Sequence, residues 1–129
     1  MPFLIVFVAG GIGSLARYAM SLGVESLWDG SFPLGTFLIN LIGCFGIGFL
    51  AGSAERLPID ANLRLLLQTG FLGGFTTFSA FGLETFRLFR RGEAATASGY
   101  LLGSTLIGIG LVFAGYFLAR AVFAPSTKA

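Results

Sequence analysis

The stretch GGFTTFSAFGLE, residues 73–84, places small, polar and aromatic residues at the midpoint of an otherwise apolar run. Paired glycines and β-branched threonines are poor helix formers, so a membrane-crossing helix is most easily broken here. A break exposes carbonyl groups, which suit a cation, and N–H groups, which suit an anion. Irregular backbone at this depth is tolerated only where it is buried in protein or lines a cavity. The stretch is therefore our first candidate ion site.

Phe78 and Phe81, three residues apart, would project from neighbouring positions on one side of the helix after the break. Lipid contact or core packing is the ordinary role of such rings, but a ring edge carries partial positive charge and can face an anion. Hydrogen-bond donors that could join them are amide and hydroxyl groups: Asn40, Thr77, Ser79 and Ser104. A ring of basic side chains could hold an anion too tightly to conduct, whereas this lining favours a small, weakly held anion.

The second and fourth apolar runs carry polar residues at helical spacing. An unpartnered polar group in hydrocarbon costs on the order of one to several kcal/mol, so each must be satisfied or functional. In the second run small or polar residues recur at every fourth position: Thr36, Asn40, Cys44, Gly48 and Gly52. They predict a partly polar seam on one slowly drifting helix face, where Asn40 either joins helices or lines a pathway. Tyr100, Ser104 and Gly108 form a similar seam in the fourth run, although Tyr100 could equally be an interfacial anchor.

The elements that must position these residues are membrane helices. The chain is 55% hydrophobic and 11% charged, with a mean hydropathy of +0.88, which is typical of an integral membrane protein. Four apolar runs can cross a hydrocarbon core of about 30 Å, and they predict one all-α transmembrane domain over residues 1–129: residues 3–22, 34–53, 65–86 and 97–119. We expect the first run to be a helix rather than a removable signal peptide. Residues 61–90 would span about 45 Å as one helix, so strong tilt or a break must absorb the excess.

Basic residues divide evenly between the two sides of this four-helix prediction. One side receives Arg56, Arg64, Arg120 and Lys128, and the other receives Arg17, Arg87, Arg90 and Arg91. Because positive charge fixes orientation, an even division predicts insertion both ways up. So small a chain has difficulty enclosing a polar pathway, so we expect two copies in opposite orientations to form an antiparallel homodimer surrounded by lipid. Two glycine pairs could let helix backbones approach closely: Gly48 with Gly52, and Gly99 with Gly103.

Composition also excludes several function classes. One cysteine and no histidine argue against a disulfide framework within the chain and against a dedicated metal or haem site. Cys44 is most simply a packing residue. The net charge is only +2 and the basic residues are scattered, so we expect no nucleic-acid binding. The sequence offers no nucleophile, base or metal set that would indicate an enzyme.

Three motifs together resemble the Fluc (CrcB) family of fluoride channels: GGIGSLARY, GTFLINLIGCFGIG and GFLGGFTTFSAFGLE, at residues 10–18, 35–48 and 70–84. The resemblance implies an antiparallel, dual-topology homodimer in the bacterial inner membrane, with two pathways through which fluoride leaves the cytoplasm passively. It also implies a structural sodium ion at the dimer centre, held by the backbone carbonyls of Gly73 and Thr76 from both subunits. Phe78 and Phe81 resemble the paired rings of the pathway. Asn40 resembles an asparagine that donates its amide hydrogens to the ion.

Three further positions match the family less completely. Arg17 resembles a first-span arginine at a vestibule that attracts anions, with anchoring or pairing with an acid as the alternative. Tyr100 and Ser104 resemble the start of a hydroxyl track on the fourth span. That track is interrupted here by Gly108 and Val112, so Thr105 or another helix would have to supply the missing hydroxyl groups.

Two other function classes fit a small four-helix chain. A proton-coupled small-molecule exporter needs a protonatable carboxylate early in the bundle, and the first run has none before Glu25. A non-transporting membrane scaffold would explain the glycines and phenylalanines but leaves the polar break without a purpose. Glu84 is the only acid well inside a run, and it could cap a helix, pair with Arg87 or occupy a vestibule.

Overall fold

The computed structural model describes residues 1–125, so Lys128 of the predicted charge balance lies outside the described residues. Regular structure within that range is helical throughout, which confirms the all-α prediction there. The elements in chain order are α1 (Pro2–Glu25), α2 (Leu34–Ala54), α3 (Ala61–Arg64), a π-helix (Leu65–Leu72), α4 (Gly73–Phe75), α5 (Phe78–Arg90) and α6 (Ala94–Val122). By length and composition, α1, α2 and α6 could each cross a membrane. The run predicted at residues 65–86 does not lie in a single helix.

Residues 61–75 pack against α1 along a seam of small residues, with the two segments running in the same direction. A Cβ added at Gly13 would lie 2.1 Å from the Phe71 carbonyl oxygen, and one added at Gly74 would lie 2.3 Å from that of Gly10. Real Cβ atoms do not approach so closely, so the two backbones are in contact only because these positions lack side chains.

A second parallel pair is formed by α2 and α6. Added Cβ atoms at Gly48 and Gly52 would lie 2.1 Å and 2.4 Å from the carbonyl oxygens of Val112 and Tyr116. The close approach predicted for this glycine pair is therefore present. Among residues 1–125 of the single chain no backbone approaches the other pair so closely: a Cβ added at Gly99 would have no neighbour within 4 Å, and one added at Gly103 would meet the Phe37 ring at 3.6 Å.

The turn from α5 to α6 ends in a glycine cap. Gly92 has φ +79, the only positive φ among the described residues, and the Glu93 N–H donates to the Leu88 carbonyl at 3.0 Å. A left-handed residue followed by this bond is the Schellman ending of a helix. Directly after it, α6 returns along α5, and Phe81, Leu88, Ala97 and Tyr100 form a small buried cluster.

Most large apolar side chains lie on the outside of this single chain. Phe3 is 91% exposed, Phe7 78% and Leu106 67%. Exposed apolar surface on this scale marks contact with lipid or with another protein chain.

Candidate functional site

Thr76 and Thr77 separate α4 from α5 and are the extended pair of this fold. Thr76 has φ −84 and ψ 159, and Thr77 has φ −150 and ψ 120, both typical of a strand rather than a helix. The pair lies inside the GGFTTFS stretch. Helical hydrogen bonding therefore changes over two residues, and each backbone group there needs a partner elsewhere.

Asn40 of α2 bonds both backbone groups of Thr77. Its Oδ1 accepts from the Thr77 N–H at 2.9 Å, and its Nδ2 donates to the Thr77 carbonyl oxygen at 2.9 Å. A primary amide presents the same donor and acceptor as a peptide group, so Asn40 pairs with Thr77 much as a neighbouring strand would. In a continuous helix the Thr77 N–H would donate to the Gly73 carbonyl. The Gly73 carbonyl has thus lost its helical donor.

The Thr77 hydroxyl begins α5 as its N-cap. Its Oγ1 accepts from the Ala80 N–H at 3.2 Å and lies 3.3 Å from the Ser79 hydroxyl. In a continuous helix the Ala80 N–H would donate to the Thr76 carbonyl. The carbonyls of Gly73 and Thr76, the pair named by the sequence resemblance, are therefore two of the four that lose a helical donor at the break; those of Gly74 and Phe75 are the others.

The Thr76 side chain turns back onto the preceding helical turn. Its hydroxyl donates to the Leu72 carbonyl oxygen at 3.0 Å, while its methyl group faces α2 at Gly43. A Cβ added to Gly43 would lie 2.1 Å from that methyl carbon. Any residue other than glycine at position 43 would therefore collide with Thr76 in this conformation.

Arg17 and Ser14 of α1 both bond the carbonyl oxygen next to Gly73. The Arg17 Nε donates to the Gly74 carbonyl oxygen at 3.2 Å, and the Ser14 hydroxyl donates to it at 3.4 Å. A guanidinium beside the carbonyl end of a helix is favourably placed for the helix dipole. Arg17 is thus anchored to the backbone just before the extended pair, in keeping with the anchoring alternative for this residue.

Two cavities flank the extended pair, and Thr77 lines both. The first, about 490 Å³, has five charged residues in its lining: Arg17, Arg87, Arg91, Glu25 and Glu84. The second, a groove of about 460 Å³, has no charged residue in its lining. Most of the predicted site residues line this uncharged groove: Asn40, Gly73, Thr76, Thr77, Phe78, Phe81 and Ser104.

The two phenylalanines occupy different environments although both line the groove. Phe81 is 7% exposed and its ring meets the Tyr100 ring edge-on, with centroids 5.1 Å apart. Phe78 is 83% exposed, with its centroid 5.6 Å from that of Phe81. Phe81 is therefore fixed by the core, whereas Phe78 projects from the single chain.

Glu84, which lines the first cavity, links α5 to α2 and α6. Its Oε1 accepts from the Thr36 hydroxyl and its Oε2 from the Tyr100 hydroxyl, each at 2.7 Å. The Tyr100 side chain is fully buried, and its proton is directed to Glu84 rather than into the uncharged groove. Charge-assisted bonds of this kind are among the stronger ones in proteins.

The uncharged groove ends on α6 at two hydroxyl groups with different partners. Ser104 Oγ is buried and has no hydrogen-bond partner among residues 1–125. The Thr105 hydroxyl donates to the Leu101 carbonyl oxygen of its own helix at 2.8 Å. Of the two, Ser104 is the hydroxyl free to bond a ligand in the groove.

Comparison with known proteins places this arrangement in a family. The family model described as "CrcB-like protein, Camphor Resistance (CrcB)" matches residues 4–116. The chain belongs to the CrcB family. It is 49% identical over 120 residues to a protein of Gloeobacter violaceus named "Fluoride-specific ion channel FluC", covering 92% of this chain and 95% of that one. Proteins of the same name from Desulfotalea psychrophila and Paracoccus denitrificans are 44% and 46% identical, each covered over at least 93% of both chains.

Family membership confirms the resemblance inferred from the three motifs and, with three span-capable helices, indicates a multi-pass membrane protein. In this CrcB chain, sequence reasoning missed Ser14, Gly43 and the link between Thr36 and Glu84. Ser14 precedes Arg17 by three residues and so shares its helix face, a signal that was present but weak. Nothing local to Gly43 distinguishes it from the other glycines of α2.

Proposed function

We propose that this CrcB chain forms a passive, fluoride-selective channel that lets fluoride leave the cytoplasm. The observation that carries the proposal is that two cavities meet at Thr77: one is lined by three arginines and two glutamates, and the other by no charged residue. A cavity whose lining is net positive raises the local concentration of anions, and an uncharged groove with ring edges and few donors holds them weakly. The relatives named as fluoride-specific channels support fluoride as that anion.

Outward movement of fluoride follows from its chemistry. Fluoride enters cells as the neutral weak acid and dissociates inside. A membrane potential that is negative inside favours exit of the anion by about 2.3 kcal/mol per 100 mV. A passive pathway for the ion is therefore sufficient for export.

We also propose a structural sodium ion, for which the backbone carbonyls of Gly73 and Thr76 are suitable ligands. Backbone carbonyls at the end of a half-helix are suitable ligands for sodium. The helical donors of the Gly73 and Thr76 carbonyls are bonded elsewhere, to Asn40 Oδ1 and Thr77 Oγ1. Two carbonyls do not complete a coordination shell, so a second copy would have to supply the matching pair. Sodium would hold the two copies together and would not be transported.

The second copy would be antiparallel, since a two-fold axis in the membrane plane through the sodium ion brings the same carbonyls to it from both sides. Phe78 and Gly73, both exposed in the single chain, would then be covered. In this arrangement residues 61–90 form one broken membrane-spanning segment, with the extended pair as the break. The even division of basic residues, four on each side, supports insertion both ways up, and we assign the channel to the bacterial inner membrane.

Ion flux from liposomes tests the function. Purified protein is reconstituted, and efflux of fluoride and of chloride is measured with ion-selective electrodes, with and without a proton gradient. We expect fluoride efflux that follows its own gradient and little chloride efflux. Chloride passing as readily as fluoride would remove the selectivity, and strict dependence on a proton gradient would favour an exchanger.

Substitution of the rings tests the pathway. We expect Phe78→Ile and Phe81→Ile to abolish most of the fluoride efflux because a branched alkyl group has no ring edge to face the anion. Phe117→Ile is the matched control, since Phe117 is 59% exposed on α6 and lines neither cavity. Normal efflux through both ring variants would show that the ion takes another route.

A further inference from the structure

We propose that Asn40 is a positioning residue for the cation site as well as a donor on the anion route. It takes the Thr77 N–H that a continuous helix would give to the Gly73 carbonyl. The inference rests on the proposed function for the identity of the cation. The inference that Asn40 keeps Thr76 and Thr77 extended does not depend on the proposed function and is tested separately.

The geometry gives Asn40 control over both backbone groups of Thr77. The two bonds, each 2.9 Å, cross from α2 to a residue 37 positions later. Within the described residues the bond to Asn40 Oδ1 is the one that satisfies the Thr77 N–H, whereas the Thr77 carbonyl, being that of the α5 N-cap residue, also accepts the first bond of that helix. In a membrane interior an unsatisfied backbone group costs several kcal/mol, so the Thr77 N–H needs Asn40 or a replacement for it.

The nearest replacement for the lost Asn40 acceptor is the Gly73 carbonyl, four residues before Thr77. Donation to it would restore the helical bond and turn the extended pair toward helix. That change occupies the Gly73 carbonyl, which then has less capacity to hold a cation. The Thr77 backbone is therefore an element with two arrangements, and Asn40 selects the one in which the carbonyl is free.

A second residue of α2 supports the same arrangement. Gly43, three residues after Asn40 and on the same helix face, makes room for the Thr76 methyl group. One turn of α2 thus bonds the Thr77 backbone through Asn40 and leaves room for the Thr76 methyl group at Gly43. The conformations of Thr76 and Thr77 therefore both depend on contacts with α2.

One amide then serves both ions. The Nδ2 group of Asn40 carries two hydrogens, and one of them is bonded to the Thr77 carbonyl. The other is available to an anion in the uncharged groove, which Asn40 also lines. Removing the side chain should consequently weaken the cation site together with the anion site, even though Asn40 does not itself bind the cation.

Two variants at this position separate the roles. Asn40→Val removes donor and acceptor at similar volume. We expect the Thr76 and Thr77 backbone chemical shifts, measured by NMR on threonine-labelled protein in sodium-free choline buffer, to move toward helical values. Sodium affinity, measured by sodium-dependent thermal shift, should fall by about 10- to 100-fold, the usual effect of losing a partner that orients a metal ligand. Asn40→Asp keeps the acceptor for the Thr77 N–H, so it should keep extended shifts and sodium binding while losing fluoride efflux.

Ser104→Ala is the control, because Ser104 lines the uncharged groove but makes no bond to the extended pair. It should change fluoride efflux and leave threonine shifts and sodium affinity at wild-type values. Extended shifts or undiminished sodium affinity in Asn40→Val would overturn the inference, as would loss of sodium binding in Asn40→Asp equal to that in Asn40→Val. A wild-type protein that binds sodium and shows the expected shift changes but passes no fluoride would overturn the proposed function alone.

Discussion

The two halves of α2 contact the rest of the chain in opposite ways. Its first half reaches α5 and the extended pair through hydrogen bonds, from Thr36 to Glu84 and from Asn40 to Thr77. Its second half meets α6 where side chains are missing, at Gly48 and Gly52. Both halves follow one four-residue repeat, which drifts by about 40° per step around the helix and so faces successive neighbours. Directional bonds fix particular backbone groups, whereas missing side chains fix only how closely two helices approach.

We expect the largest loss of stability from substitutions in the second half of α2, because the atoms that face Gly48 there are backbone atoms of α6. In Gly48→Ala the new Cβ would lie 2.1 Å from the Val112 carbonyl oxygen, so α2 and α6 must separate along their length. We expect a loss of about 3 kcal/mol in the free energy of unfolding, at the upper end of overpacking effects. Unfolding in detergent at fixed protein concentration measures it.

Gly110→Ala is the matched control for this change. No atom lies within 4 Å of the position that its Cβ would take, and α6 should become slightly more stable through helix propensity. Equal stability of the two alanine variants would show that α2 and α6 are not in backbone contact.

The next largest loss of stability is expected at Glu84, which is bonded to the first half of α2 through Thr36. Its size should depend on how deeply the broken hydrogen bond is buried. Tyr100→Phe removes a 2.7 Å bond to Glu84 from a fully buried side chain, so water cannot easily replace it. We expect about 2 kcal/mol lower stability, typical of a bond to a charged acceptor. Tyr116→Phe deletes the same kind of bond, at 2.8 Å to Glu55, where it is exposed.

That exposed pair sharpens the comparison because its chemistry is the same and its surroundings differ. Glu55 also lies 3.9 Å from Arg120, so water and a second partner are at hand when the tyrosine hydroxyl is lost. We expect Tyr116→Phe to change stability by no more than about 0.5 kcal/mol. A loss at Tyr116 as large as that at Tyr100 would show that burial is not what strengthens the Glu84 bonds.

The smallest effect expected among the candidate site residues tests whether Arg17 acts through its bond or through its charge. Arg17→Lys keeps the charge and removes the Nε–H that bonds the Gly74 carbonyl at 3.2 Å. We expect about 1 kcal/mol lower stability and fluoride efflux reduced nearly as much as in Arg17→Gln. Efflux by Arg17→Lys at the wild-type rate, with Arg17→Gln impaired, would instead identify Arg17 as an electrostatic attractor.

The sequence predicted much of the fold, and most of the residues it named for the candidate site line one groove. Hydropathy is a local sum, so the apolar runs at α1, α2 and α6 could be recognised directly. The weak helix-forming residues around Thr76 and Thr77 are local as well. Gly99 and Gly103 show the limit of such reasoning. Their spacing matches that of Gly48 and Gly52, yet within the described part of the single chain no backbone lies near the Cβ position of Gly99, and the Phe37 ring is what a Cβ at Gly103 would meet.

By itself the sequence determined the membrane character, the positions of the long helices, the family and the place where the helical pattern weakens. Each of these depends on residues that are close together along the chain. Only the tertiary structure decided which backbone groups are free at that place. The fate of the Gly73 carbonyl depends on whether Thr77 bonds to it or to Asn40, 37 residues away, and Gly74 is bonded by Arg17, 57 residues away. Hydrogen bonds act over about 3 Å, so such choices are made only when the helices are packed.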